Sequence, residues 1–252
     1  MEPLSNPDKT SNNLPRFDLI FGAVLVVLTS LILLNSRFFV VNKVEIQGNQ
    51  AVSPEDIILK ARLNSDRNIF QIDSEQIKKS ILHDLRIASV KIKRQLPGKL
   101  IIIVRERAPI CLLSYLNNLL IIGDDGLVMG IHDETETVEL PVVTGVRLGN
   151  VKYGEKVESA EFQAALEILR YADDYLHQII SEIDLDRFRL YLDLPDYRHS
   201  VKVELGAAER LEEKITNLRA ILLSPELNGV LEQIDLRAPD LPTVTTSRSL
   251  KK

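Results

Sequence analysis

The sequence predicts an α+β protein: an N-terminal transmembrane helix, a small β-α-α-β-β domain, then a mainly antiparallel β domain carrying helices. Three observations predict it. Residues 19–34 form an uncharged apolar run, residues 39–108 carry a strand–helix–helix–strand–strand order, and short strands separated by turns follow Pro109. The expected division is a disordered tail (1–16), a membrane helix (17–38), two domains (39–108 and 109–246) and a second disordered tail (247–252).

The totals narrow the function. Among 252 residues, 31 Lys and Arg stand against 36 Asp and Glu, a net charge of −5. That mild acidity argues against nucleic acid as a partner, because polyanion binding wants a dense basic surface. Hydrophobic residues at 45% can supply a core. The single cysteine, Cys111, cannot staple the fold, so packing must stabilise it, and a buried inert thiol is expected.

The apolar run reads LIFGAVLVVLTSLILL. As a helix it spans about 24 Å, a little short of a ~30 Å hydrocarbon core. Phe17 before it and residues 38–41 after it extend the apolar surface, and Arg16 and Arg37 can reach headgroups. A cleaved signal peptide fits less well: Leu34 stands where a small residue is wanted, and Arg37 lies just beyond. Lys9 and Arg16 before the run balance Arg37 and Lys43 after it, so charge gives no orientation. The polar, proline-containing segment 1–16 reads as disordered.

In the first domain, Val44 and Ile46 alternate with Lys43, Glu45 and Gln47, the period of a half-buried strand, and Gly48-Asn49 ends it. Ser53 is an N-cap with Pro54 at the first helical position and Asp56 where a capping-box acid belongs. A second helix starts at Asp73, with Ile77, Ile81, Leu82 and Leu85 as its apolar stripe. Two strands follow, broken by the turn dipeptide Pro97-Gly98.

Beyond Pro109, ICLLSY, NLLIIGDDGLVMG and ELPVVTG read as strands, with Asp124-Asp125-Gly126 a hairpin turn. A helix is predicted over 159–176, with Phe162, Leu166, Leu169 and Ala172 on one face. FRLYLDL and SVKVEL form a hairpin. A helix over 208–223 presents Leu211, Ile215, Leu218 and Leu222 before the closing strand LEQIDLR.

No catalytic constellation is legible. His83, His132, His177 and His199 lack metal-ligand spacing, and no phosphate loop or nucleophile elbow is present, so no metal, cofactor or enzymatic activity is expected. Asp184, Asp186, Asp193 and Asp196 are too sparse for a calcium loop and read as a solvated strand edge. The basic set Lys91, Lys93, Arg94, Lys99, Arg105 and Arg107 reads first as the polar face of a sheet. Its functional reading is contact with anionic lipid or an acidic partner.

The segments VNKVEIQGN, SPEDI, NIFQID and VKIKRQLPGKLIIIVRER resemble a POTRA domain. An anchor leading straight into such a domain, followed by DDGLVMG, LPVVTG and IDLR in that order, is similar to the FtsQ/DivIB family of bacterial cell-division proteins. The resemblance implies a single-pass protein of the cytoplasmic membrane at the division septum. Its short tail would be cytoplasmic and its domains extracytoplasmic. It would be a non-enzymatic scaffold that binds FtsB/FtsL-like single-pass coiled-coil partners and helps regulate septal peptidoglycan synthesis, with further divisome contacts through the POTRA domain. Carried over by position, the partner surface is the strand after Glu232: Gln233, Asp235, Arg237, Leu241, Thr243 and Val244, with Ile234 and Leu236 facing the core. Arg237 would offer a bidentate pair to a partner carboxylate. Ala238-Pro239 interrupts the strand, so pairing ends at Arg237 or resumes after Pro242. Two other classes stay open: a membrane-anchored wall enzyme with Cys111 as nucleophile, and a POTRA-containing transport component.

Overall fold

The computed structural model describes residues 16–63, 67–133, 139–195, 197–224 and 230–247, with side chains from Leu19 onward. The expected tail 1–16, apart from the backbone of Arg16, lies outside these residues. So do Asp196, the side chains of Arg16 and Phe17, and residues 248–252. Two compact units divide the chain, Met1–Glu106 and Arg107–Lys252.

The first helix, α1 (Arg16–Leu34), is shorter than the expected 17–38. It ends because Asn35 and Ser36 turn the chain into a 3-10 turn, Arg37–Phe39. From Leu19 to its end nearly every side chain is exposed. Among the described residues, no helix is long and apolar enough to cross a membrane.

The rest of the first unit follows the expected order: β1 (Lys43–Gln47), α2 (Pro54–Ala61), α3 (Ser74–Leu82), β2 (Ile87–Gln95) and β3 (Lys99–Glu106). The sheet order is β1-β3-β2, with β1 parallel and β2 antiparallel to the central strand. Ser53 Oγ accepts from the Asp56 amide, and Asp73 accepts from Glu75 and Gln76, so both helices start where their caps predict. The core gathers Ile57, Ile69, Ile81, Ile87, Leu100 and Ile102. Leu82 is 40% exposed because it falls one position off the face of Ile77 and Ile81, and Leu85, although in step with them, lies past the helix end at Leu82.

Two carboxylates tie this unit together. Glu106 accepts from the amides of Gln50, Ala51 and Val52 at 2.7, 2.9 and 3.0 Å. Burial opposes its ionisation, but the three amides outweigh it and hold its pKa below the usual glutamate value. Asp84, bound foremost by Arg86 and also by Lys60, lies well below the usual aspartate value despite its burial. A depressed folded pKa gives stability that is complete above the unfolded value and is lost as pH falls through the folded one. Protection of residues 50–52 against hydrogen exchange is therefore expected to decline from about pH 4.5 downward. Glu106→Gln should flatten that decline. Protection that stays constant to pH 3 would contradict it.

The second unit holds one nine-stranded sheet. Its strands are β4 (Pro109–Tyr115), β5 (Asn118–Gly123), β6 (Val128–Ile131), β7 (Val142–Thr144), β8 (Ile180–Asp184), β9 (Arg189–Leu192), β10 (Val201–Glu204), β11 (Val230–Asp235) and β12 (Thr243–Ser247). Their order is β12-β11-β10-β9-β8-β7-β4-β5-β6. The helices are α4 (Ala160–Tyr171), α5 (Asp174–Ile179) and α6 (Leu211–Leu222). The sheet is more mixed than expected: β4/β7, β7/β8 and β10/β11 are parallel. Two of these junctions are helical crossovers, α4–α5 between β7 and β8 and α6 between β10 and β11, and a parallel pair requires such a connection.

The helix expected over 159–176 is broken at Ala172, which is extended, and Asp173 caps the new helix by accepting from the Leu176 amide. The helix expected over 208–223 starts late, at Leu211, after Arg210 in a left-handed conformation. Strand β8 was not predicted. Asp184 lies within it, 8% exposed in mid-sheet, which corrects the solvated edge expected there. One core cluster includes Phe162, Leu166 and Leu169 of α4 together with Leu190, Leu192, Val201 and Val203 of the sheet.

Candidate functional site: a free sheet edge

The site begins with a bulge. Leu231 and Ile234 are both buried although three residues apart, because the register shifts between Leu231 and Gln233 and brings both to the core face. Leu236 continues that face, fully buried, while Asp235 is half-buried and Arg237 exposed.

Past Leu236 the chain turns through 236–242 and returns antiparallel as β12. Side chains clamp this turn. Arg210 makes two bidentate pairs, to Glu213 at 2.8 Å and to Asp240 at 2.7 and 2.8 Å. Asp240 first and Glu213 second push the Arg210 pKa upward. Asn217 donates to the Pro239 carbonyl at 2.7 Å. Beneath, the buried Lys214 donates to the Leu205 and Ala207 carbonyls at 2.8 and 2.9 Å, and burial lowers its pKa.

The two sheet edges differ. Along β6, Val128 donates to the Glu155 carbonyl and accepts from the Gly154 amide, both at 3.0 Å, and Leu127 bridges Lys156. That edge is covered by the chain's own backbone at its start, Leu127 and Val128. Among the described residues β12 has a strand on one side only. Residues 243–246 are β-branched and exposed, with no charge to discourage pairing.

The expected partner residues therefore fall into two groups. Gln233 and Asp235 sit on β11, enclosed by β10 and β12. Thr243 and Val244 lie on the open strand, and Leu241, 78% exposed, leads into it. Arg237 is already paired: its Nε and Nη2 donate to Asp235 at 3.0 and 2.6 Å, and this bond holds Asp235 below the usual aspartate range. A partner carboxylate would have to displace Asp235. Sequence reasoning stopped at Val244, while the open strand continues through Thr245 and Thr246, whose signal was the unbroken β-branched run.

By register Lys91, Lys93, Lys99 and Arg105 share one face of the first unit's sheet, while Arg94 and Arg107 do not join them. Lys99 pairs with Glu45 at 2.8 Å, and Arg94 donates to the Ile72 carbonyl and Ser74. Arg107 pairs with Asp125 at 2.8 Å in the second unit. Lys91 and Lys93 are exposed on β2, and Arg105 lies six residues along β3 from Lys99, about 20 Å at strand rise. Cys111 is fully buried, and burial pushes its thiol up to about 12, so it is a poor nucleophile. Among the described residues no group of His, Cys, Asp or Glu could hold a metal.

A two-helix, three-stranded domain is followed by a large mixed sheet ending in an exposed strand. The chain matches the family description "POTRA domain, FtsQ-type" over residues 39–107 and "Cell division protein FtsQ/DivIB, C-terminal" over residues 114–237. It is 25% identical over 213 residues to cell division protein DivIB of Clostridium tetani, covering 82% of this chain and 78% of that one. Against DivIB of Clostridium botulinum strain Hall it is 25% identical, covering 87% and 86%. Cell division protein FtsQ of Mycobacterium tuberculosis strain H37Rv is 27% identical over 80% of this chain and 59% of its own length. The chain belongs to the FtsQ/DivIB family of cell division proteins.

Proposed function

We propose that this protein is a non-enzymatic scaffold of the division machinery whose β12 edge captures an extended segment of FtsB/FtsL-like single-pass partners. The apolar stretch 17–38 that includes most of α1 serves as its single anchor in the cytoplasmic membrane, the folded units lie outside at the septum, and the complex helps regulate septal peptidoglycan synthesis. One observation supports this most: along its four exposed β-branched residues 243–246, β12 has a strand on one side only among the described residues, while β6 is capped at its start by residues 154–156. An unpaired edge offers backbone N–H and C=O groups to a new strand, the mode of strand addition. The anchor reading is supported by α1, whose large apolar side chains from Leu19 to Leu34 are 42–73% exposed. The wall-enzyme alternative loses its nucleophile with the burial of Cys111.

A chain ending at Pro242 tests the edge. Residues 243–246 are exposed, so their removal leaves the core intact. With the full-length protein in detergent and the FtsB- and FtsL-like proteins of the same genome, the truncation is expected to weaken binding at least about tenfold, or 1.4 kcal/mol. Undiminished binding would place the partner surface elsewhere.

A further inference from the structure

We infer that the loop 67–71 and the turn 96–98 of the first unit form, with the exit of α1, a surface that docks into an anionic lipid interface. The inference rests on the reading of α1 as a bilayer anchor. The argument begins with Asn68, buried at 7% exposure. Its Nδ2 donates to the Leu34 carbonyl at 2.6 Å, satisfying one of the orphan acceptors at the end of α1. Its Oδ1 accepts from the Phe70 amide at 3.0 Å, and its backbone bridges Val40. Ile69 donates to the Phe39 carbonyl at 2.8 Å, Val41 donates to the Arg67 carbonyl at 3.0 Å, and Gln71 Nε2 donates to Asn35 at 3.3 Å. The loop is thus strapped across the end of the helix, which fixes its height relative to α1.

Held there, the loop presents apolar side chains that stay largely exposed among the described residues. Phe38 and Phe70 are 65% and 45% exposed, and both pack edge-on against Phe39 with ring centroids 5.1 Å apart. The turn 96–98 abuts the same exit: Asn42 and Lys43 donate to the Gly98 carbonyl at 2.9 and 3.3 Å, and a side chain at Gly98 would strike the Val40 carbonyl. That turn carries Leu96, 56% exposed. Two loops distant in sequence therefore bring apolar groups to the foot of α1, continuous with its own exposed apolar surface. Exposed Arg37 and Arg67 stand on the same segments. Aromatic and aliphatic groups flanked by arginine suit the headgroup boundary of an anionic bilayer. The basic residues singled out from the sequence, read first as a sheet's polar face and otherwise as a contact with anionic lipid or an acidic partner, lie on β2, β3 and the start of the second unit, apart from these loops.

The chain contains no tryptophan, so single-tryptophan variants give a clean report. The full-length protein is reconstituted in phosphatidylcholine vesicles with phosphatidylglycerol, and quenching by phospholipids brominated high on the acyl chain is measured. Phe70→Trp and Leu96→Trp are expected to be quenched and blue-shifted, with Leu28→Trp quenched as the report on the anchor. Quenching at Phe70→Trp should fall about twofold when Arg37→Gln and Arg67→Gln are added. If Leu28→Trp is quenched while Phe70→Trp and Leu96→Trp emit as in water, the docking surface is overturned and the anchor stands. If Leu28→Trp is also unquenched, the anchor reading fails and takes the inference with it. Quenching indifferent to both arginines overturns the anionic part.

Discussion

Phe162→Ala is expected to destabilise the second unit by about 3–5 kcal/mol, the range for emptying a fully buried aromatic site. Phe162 is fully buried on α4 in the core beneath the sheet. Leu166 and Leu169 belong to the same helix, and Leu190, Leu192, Val201 and Val203 of the same core cluster are fixed by strand register, so little can collapse into the space. With total stabilities of only 5–15 kcal/mol, a loss of this size should be visible as early unfolding of the sheet. Hydrogen exchange of the full-length protein in detergent reads it directly. Strands β9 and β10 should lose protection by two orders of magnitude or more, while β3 keeps its own. Unchanged protection of β9 and β10 would mean that the site repacks.

Gly48→Ala is the second large effect, and it falls on the other unit. Gly48 has φ +84°, and a Cβ there would lie 2.3 Å from the Val104 carbonyl oxygen. Left-handed backbone costs an L-residue about 1–2 kcal/mol, and forcing a strand carbonyl aside adds about 1–3 kcal/mol. The expected loss is roughly 2–5 kcal/mol, confined to β1, β3 and the Glu106 clasp over residues 50–52. Exchange that accelerates there and not in the second unit is the predicted pattern. A variant with native protection at residues 50–52 would show that the turn relaxes at little cost.

The sequence told most where local chemistry acts alone. Ser53, Pro54 and Asp73 announced helix starts that the structure keeps, and Gly48 announced its positive φ. The alternation in Val44 and Ile46 revealed β1, and the spacing of Phe162, Leu166 and Leu169 revealed the buried face of α4. It told less where a partner distant in sequence decides. Strand β8 carries no clean alternation, and only its place between β7 and β9 makes it a strand. The split between α4 and α5 depends on one capping aspartate that competes with continued helix. At the edge, Ile234 and Leu236 were legible as core, yet that β12 folds back to enclose Gln233 and Asp235 depends on the turn after Leu236. Arg237 looked available because its nearest acceptor, Asp235, was read as another contact.

The clamp on residues 236–242 bears on the entropy of association. Arg210, held by Glu213 and Asp240, and Asn217, on the Pro239 carbonyl, immobilise the turn before any ligand arrives. The edge strand then has little backbone freedom left to lose on pairing. A flexible segment arriving from another chain brings nearly all of the disorder that must be frozen, about 1–2 kcal/mol per residue of backbone. How short a segment can still bind is therefore set by the visitor and not by the host.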